Sequence, residues 1–121
     1  MGDYLPKYTP GAAITLAASA DITGGQLLEV SGDETVKPAA AASAKWVGYA
    51  GYDVSSGDYV TVFSGGIQHP TASGAVAAGD LLVADTGGKV KTAGATPAAG
   101  TVVGVALAAA ADGDPVTVKS I

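Results

Sequence analysis

A lone histidine, a repeated carboxylate and a few lysines are the residues with which this chain could do chemistry. His69, the only histidine, stands directly before Pro70. Imidazole titrates near neutrality and serves as a general base or metal ligand. A metal site needs further His or Cys ligands, however, and the chain has neither. His69 therefore reads as an exposed loop residue. Asp58 and Asp114 recur in two copies of Gly-Asp-x-Val-Thr-Val, at 57–62 and 113–118. Such a pair could mark a site on a pseudo-twofold axis. The structural reading is simpler: an Asp oxygen in a Gly-Asp turn accepts backbone N–H groups before the strand begins. Asp112-Gly113-Asp114 resembles part of a calcium loop but lacks the downstream ligands and closing Glu. The glycine pairs at 24–25, 65–66 and 87–88 do not form a phosphate-cradling Gly-x-Gly-x-x-Gly, and no serine sits in a nucleophile elbow. The sequence predicts no enzyme, no catalytic residue, no metal and no cofactor.

Charge and composition narrow the partners. Six lysines and no arginine against eleven acids give a net charge of −5. Scattered lysines cannot displace counterions from a phosphate backbone, so no nucleic-acid partner is expected. No apolar run approaches the roughly 20 residues that cross a bilayer. The start, Met1-Gly2-Asp3-Tyr4, lacks a basic, apolar leader, so no membrane association and no export by that route are expected. Cysteine is absent, which excludes disulfides.

The elements that would position any site come in duplicate. Gly25-Gln26-Leu27-Leu28 is echoed by Gly79-Asp80-Leu81-Leu82, and Val36-Lys37 by Val90-Lys91, at an offset of 54. Val47-Gly48-Tyr49-Ala50 and the Gly57-Asp58 motif are echoed at an offset of 56. The two extra residues fall in one loop. Alternating Ile14-Thr15-Leu16, a hairpin turning at Ser31 to Glu34, and its counterpart turning at Asp85 to Gly88 read as β structure. The alanine-rich segments 38–44 and 92–100 occupy the same place in the repeat. Glycine and proline in the second make both loops. The expected fold is all-β, with about ten short strands in a compact barrel or sandwich of two pseudo-equivalent halves. Copy one spans about 12–64 and copy two about 66–121, within one β domain over 12–121. Residues 64–75 read as the connector. Residues 1–11, with two prolines and a glycine, form an extended N-terminal arm.

Function is expected where the copies differ. Every aromatic lies before residue 64. Trp46, Tyr49, Tyr52, Tyr59 and Phe63 face Val102, Val105, Ala108, Pro115 and Lys119 in the second copy, while Tyr4 and Tyr8 lie in the arm. Alternation puts Tyr59, Thr61 and Phe63 on the outside of their strand. Outward aromatics on one half need a cover or a partner. The cover would be the arm itself, through Tyr4, Leu5 and Tyr8; the partner would be another subunit or a larger assembly. The candidate interface is thus Tyr4, Leu5, Pro6, Tyr8, Trp46, Tyr59 and Phe63. Trp46 and Tyr49 have opposite parity, so one of them is expected in the core. Gly-Asp-x-Val-x-Val also occurs in the duplicated biotinyl and lipoyl carrier barrels, but the hairpin tips here lack the lysine those carriers modify.

Tyr8-Thr9-Pro10-Gly11 before Ile14-Thr15-Leu16, the Val-Gly-Tyr-Ala and Val-Gly-Val-Ala pair, the run from Ala75 to Leu82 and the closing segment from Asp112 to Val118 carry a family resemblance over nearly the whole chain. The chain resembles the small, internally duplicated capsid decoration, or cement, proteins of tailed phages. The resemblance implies a head-stabilising structural virion protein on the outer surface of the capsid, bound to the major capsid protein as a homo-oligomer, a trimer. It implies synthesis in the host cytoplasm and an arm reaching onto the lattice. The alternative is a carbohydrate- or cell-surface-binding module, with Trp46 and the tyrosines as a sugar platform.

Overall fold

The computed structural model describes residues 13–121. Ten strands and one 3-10 turn make these residues all-β. The first half contributes β1 (Ile14–Ala18), β2 (Leu27–Gly32), β3 (Thr35–Pro38), β4 (Trp46–Ala50) and β5 (Tyr59–Phe63). They close into a barrel in the order β1-β3-β2-β4-β5. Closure comes from β1, which runs antiparallel to β5 from Ile14–Val62 to Ala17–Tyr59 and parallel to β3 at Ala17–Thr35 and Ala18–Val36. The β2–β3 hairpin turns on Asp33 and Glu34, with Glu34 in the left-handed region at φ +51°.

The second half repeats the design with β6 (Ile67–Gln68), β7 (Leu81–Asp85), β8 (Lys89–Thr92), β9 (Val102–Ala106) and β10 (Val118–Ser120), ordered β6-β10-β9-β7-β8. Beyond the end of β6, Thr71 bridges Pro115 and Ala72 bridges Val90, the latter in parallel. These bridges are the repeat equivalents of Ala17–Tyr59 and Ala18–Val36. Residues 67–72 are therefore one strand, interrupted at Pro70, where the first half has Leu16. Proline has no N–H to give to a ladder. Its carbonyl still accepts the Val116 N–H at 2.9 Å. The segment expected to be a connector thus supplies the second half's first strand. Bridges Ile22–Val54 and Val76–Ala110 repeat in the same way. The alanine-rich segments are loops beyond the strand ends at Pro38 and Thr92.

The glycine shared by the two Val-Gly-x-Ala motifs has a steric cause. A Cβ on Gly48 would lie 2.4 Å from the Phe63 carbonyl oxygen, and one on Gly104 would lie 2.5 Å from that of Lys119. Each glycine lets the fourth strand of its half pass close to the fifth. Alternation then sorts the apolar residues. Leu28, Val36, Val60 and Val62 fill the first barrel with Ile22. Leu82, Val90, Val103, Val116 and Val118 fill the second half, and that cluster also takes in Leu27, Ala39 and Tyr49 from the first. Leu27 and Leu28 point to opposite sides of β2, and both are fully buried. The outer face of the first barrel is the joint between the halves. Burying a Leu- or Phe-sized side chain contributes about 1.5–3 kcal/mol, so Leu27 and Tyr49 hold the halves together substantially.

Candidate functional site

Two constellations stand out, one at the joint and one on the outer face of β5. The joint uses main chain as well as side chains. Ala42 N–H donates to the Ala84 carbonyl at 2.9 Å and Gly88 N–H to that of Ala39 at 3.0 Å. Gln26 Nε2 donates to the Gly87 carbonyl at 2.9 Å. Trp46 Nε1 donates to the Gly100 carbonyl at 3.0 Å, and its ring packs on the second half's core beside Tyr49. Tyr49 is the core member of the pair, as one of the two was expected to be, but the opposite parity assumed for them does not hold. β2 and β4 pair Leu28 with Gly48 and Glu29 with Trp46, so Val47 is an extra residue in a β-bulge. The bulge turns both rings toward the second half. Tyr49 is buried, and its hydroxyl meets no hydrogen-bond partner among the described residues. The nearby Ser120 hydroxyl points its proton toward the Val103 carbonyl at 3.3 Å and the Ile121 carbonyl at 3.5 Å. Burial pushes the Tyr49 phenol up in pKa, and Ser120 offsets this only in part.

Glu29 is the charge behind this joint, and sequence reasoning did not single it out. Its carboxylate is buried, accepts the Ala40 N–H at 2.8 Å, and lies 3.9 Å from both Lys37 and Lys45. Burial is the largest influence and disfavours the charge. The Ala40 N–H, the Ser43 hydroxyl and the two lysines together outweigh it and hold the carboxyl below the usual range. Glu29 thereby fixes the start of the loop whose Ala39 and Ala42 reach the second half. The signal was present in the repeat: Glu29 stands where the second copy has Val83.

The second constellation is aromatic. Tyr59 and Phe63 point outward from β5, as alternation predicts, and are 67% and 44% exposed. Tyr52, the equivalent of Ala108, joins them. Its hydroxyl makes long contacts with the Tyr59 carbonyl (3.4 Å) and the Thr61 hydroxyl (3.5 Å). The Phe63 ring lies on Gly51, where a Cβ would come within 2.8 Å of it. Phe63 also lines an open groove of about 610 Å³ between the halves, together with Gln68 and His69. Tyr59 and Phe63 thus share one face with Tyr52, while Trp46 is half-buried at the joint. Tyr4, Leu5, Pro6 and Tyr8 lie outside the described residues.

The duplicated Gly-Asp pairs act through their backbone. Asp58 N–H donates to the Ser55 carbonyl and Asp114 N–H to that of Ala111. Aspartates whose side chains accept backbone N–H groups include Asp21 from Ser56, Asp53 from Gly24, Asp80 from Ala77 and Asp112 from Gly74. That corrects the side-chain role expected of Asp58 and Asp114. No group of three or more His, Cys, Asp or Glu among the described residues is arranged to hold a metal.

The arrangement is an exposed aromatic face on one half of a β scaffold. A family model described as phage cement protein matches residues 8–120. The chain belongs to the phage cement protein family. Its fold is similar to the crystal structure of the head fiber gp8.5 N base of bacteriophage phi29, with a TM-score of 0.72 and 25% identity over 91% of this chain and 93% of that one. No curated protein matches. As a family member the chain is a capsid-associated structural protein of the phage virion, and the β-barrel fold expected from the repeat is the one it adopts.

Proposed function

We propose that this protein binds the outer surface of the capsid and stabilises the major capsid protein lattice. The observation that carries this reading is the one-sided aromatic face: Tyr52, Tyr59 and Phe63 lie exposed on the first half, and the second half has no aromatic at all. Exposed aromatics on a rigid sheet are the residue types that anchor protein interfaces. In this reading Tyr59 and Phe63 meet the lattice, and the arm with Tyr4, Leu5, Pro6 and Tyr8 reaches onto it. Trimers at threefold positions would multiply a modest contact into tight binding. Trp46 takes a lesser part, because its ring is used at the joint. The likeness to the N base of a phage head fiber supports a capsid-proximal position for such a fold. The sugar-platform reading loses Trp46 to the joint in the same way.

The deciding experiment mixes the purified protein with expanded, undecorated phage heads and sediments them. Co-sedimentation at a fixed ratio to the capsid protein, with heads that resist heat better once decorated, is the expected result. Phe63→Lys, which copies Lys119, should lower occupancy on heads while leaving the melting temperature near that of the parent. Normal occupancy of the Phe63→Lys protein would remove the aromatic face from the reading. No binding by the parent chain, with saturation by a soluble glycan instead, would replace it with carbohydrate recognition.

A further inference from the structure

The groove beside Phe63 has a counterpart in the other half. His69, Thr71, Gly87, Gly88, Lys89 and Pro115 form its second-half wall. Through the repeat they correspond to Thr15, Ala17, Asp33, Glu34, Thr35 and Tyr59. Those residues line a groove of about 320 Å³ in the first half. One groove is thus present twice, with opposite charge. The first-half groove carries Asp33 and Glu34 and no base among its described lining residues. The second-half groove carries Lys89 and His69, and no carboxylate stands among the described residues that line it. This base-lined groove belongs to a chain of net charge −5.

Three donors in the second-half groove can meet an anion. Lys89 lies across the β7–β8 hairpin from Asp85. Asp85, however, accepts the Ser73 hydroxyl and lies 3.9 Å from Lys91, and Lys89 is the weakest influence on its carboxyl. No described carboxylate forms an ion pair with Lys89. The His69 ring makes no hydrogen bond to the described residues, and an imidazole has an N–H to give in either tautomer. The third donor is main chain. In the first half, Ala17 N–H donates to the Glu34 carbonyl at 3.3 Å, but the corresponding Thr71 N–H has no partner among the described residues. Ala72 N–H, next along the chain, turns the other way to the Asp114 carbonyl. The Thr71 N–H therefore faces the β7–β8 hairpin tip, where Gly87 and Gly88 bring no side chains. An ammonium, an imidazole N–H and a main-chain N–H are donors suited to a carboxylate. Phe63 lines the same groove, so it is continuous with the aromatic face proposed to meet the lattice. We infer that this groove receives a carboxylate-bearing segment of the capsid protein, which rests on the proposed docking to the capsid. Charge complementarity of this kind fixes the register of docking more than its strength.

The probe is an N-acetylated, C-amidated hexaglutamate peptide added to the full chain, with hexaglutamine as control. His69 is the only histidine, so its ring protons give an unambiguous magnetic-resonance signal. Hexaglutamate should shift that signal saturably, and hexaglutamine should not. Lys89→Thr copies Thr35 at an exposed position and should keep the parent's melting temperature. It should weaken hexaglutamate binding about two- to fivefold, as loss of one exposed ion pair implies. The same change should lower occupancy on phage heads. No shift with hexaglutamate would overturn the inference, and so would unaltered binding by the folded Lys89→Thr chain. An equal shift with the same concentration of inorganic phosphate would also overturn it, by showing a groove that takes any anion. If the parent fails to sediment with heads, the capsid as source of the segment falls with the docking reading. The hexaglutamate titration then still decides what the groove takes.

Discussion

Glu29 and Tyr49 are buried polar side chains on the same face of the first barrel, and they have opposite energetic standing. Glu29 is satisfied by an N–H, a hydroxyl and two lysines, so its carboxyl is held below its ordinary pKa. A carboxylate depressed in the folded state contributes stability above its unfolded pKa of about 4.3 and loses it as pH falls toward the folded value. Asp85 shifts in the same direction, chiefly through the Ser73 hydroxyl and then the Thr86 N–H. Thermal stability should therefore decline as pH drops below about 4.5, and Glu29→Gln should flatten part of that decline. At neutral pH, Glu29→Gln should cost about 1–3 kcal/mol in a denaturant titration. Tyr49→Phe should instead leave the melting temperature unchanged or raise it, because it removes a buried hydroxyl with no hydrogen-bond partner among the described residues. A loss of more than about 1 kcal/mol would mean that the hydroxyl is hydrogen-bonded in solution.

Among the elements, the fourth strand of each half depends on close approach. Gly104→Ala should cost about 1–3 kcal/mol, measured as a lowered denaturant midpoint, because the new methyl has the Lys119 carbonyl and the Val118 side chain in its way. Strands, hairpins and the outward direction of Tyr59 and Phe63 were legible because the duplication displays the alternation twice. It also kept the alanine-rich segments from being taken for helices. What stayed hidden was whatever breaks a period. The bulge at Val47 reverses the parity on which the separation of Trp46 from Tyr49 rested. Pro70 interrupts a strand, so residues 67–72 looked like a connector. Partnering was hidden too: nothing in the run Gly25-Gln26-Leu27-Leu28 says that Leu27 meets the second half while its twin Leu81 faces outward.

At the scale of the molecule, the second half's apolar cluster is completed by residues of the first. The halves should therefore unfold together. Trp46, the only tryptophan, sits at their joint and reports on it. Its fluorescence and the far-ultraviolet dichroism should show coincident denaturant midpoints; separated midpoints would mean that the halves are independent. Deleting residues 2–11 should leave this transition in place while weakening sedimentation with heads, since the β structure described here begins at Ile14. Unchanged occupancy after that deletion would take the arm out of the docking reading.

The first half's ring of strands also bears on life in a crowd. An open sheet ends in rows of unpaired N–H and C=O groups, which invite strands from neighbouring molecules and seed aggregation. Closure of β1 onto both β3 and β5 leaves the described strands of the first half with no such rim. The second half brings its ends together through the Thr71 and Ala72 bridges. Under the proposed decoration of a shell, many copies then stand side by side without adding strands to one another's sheets.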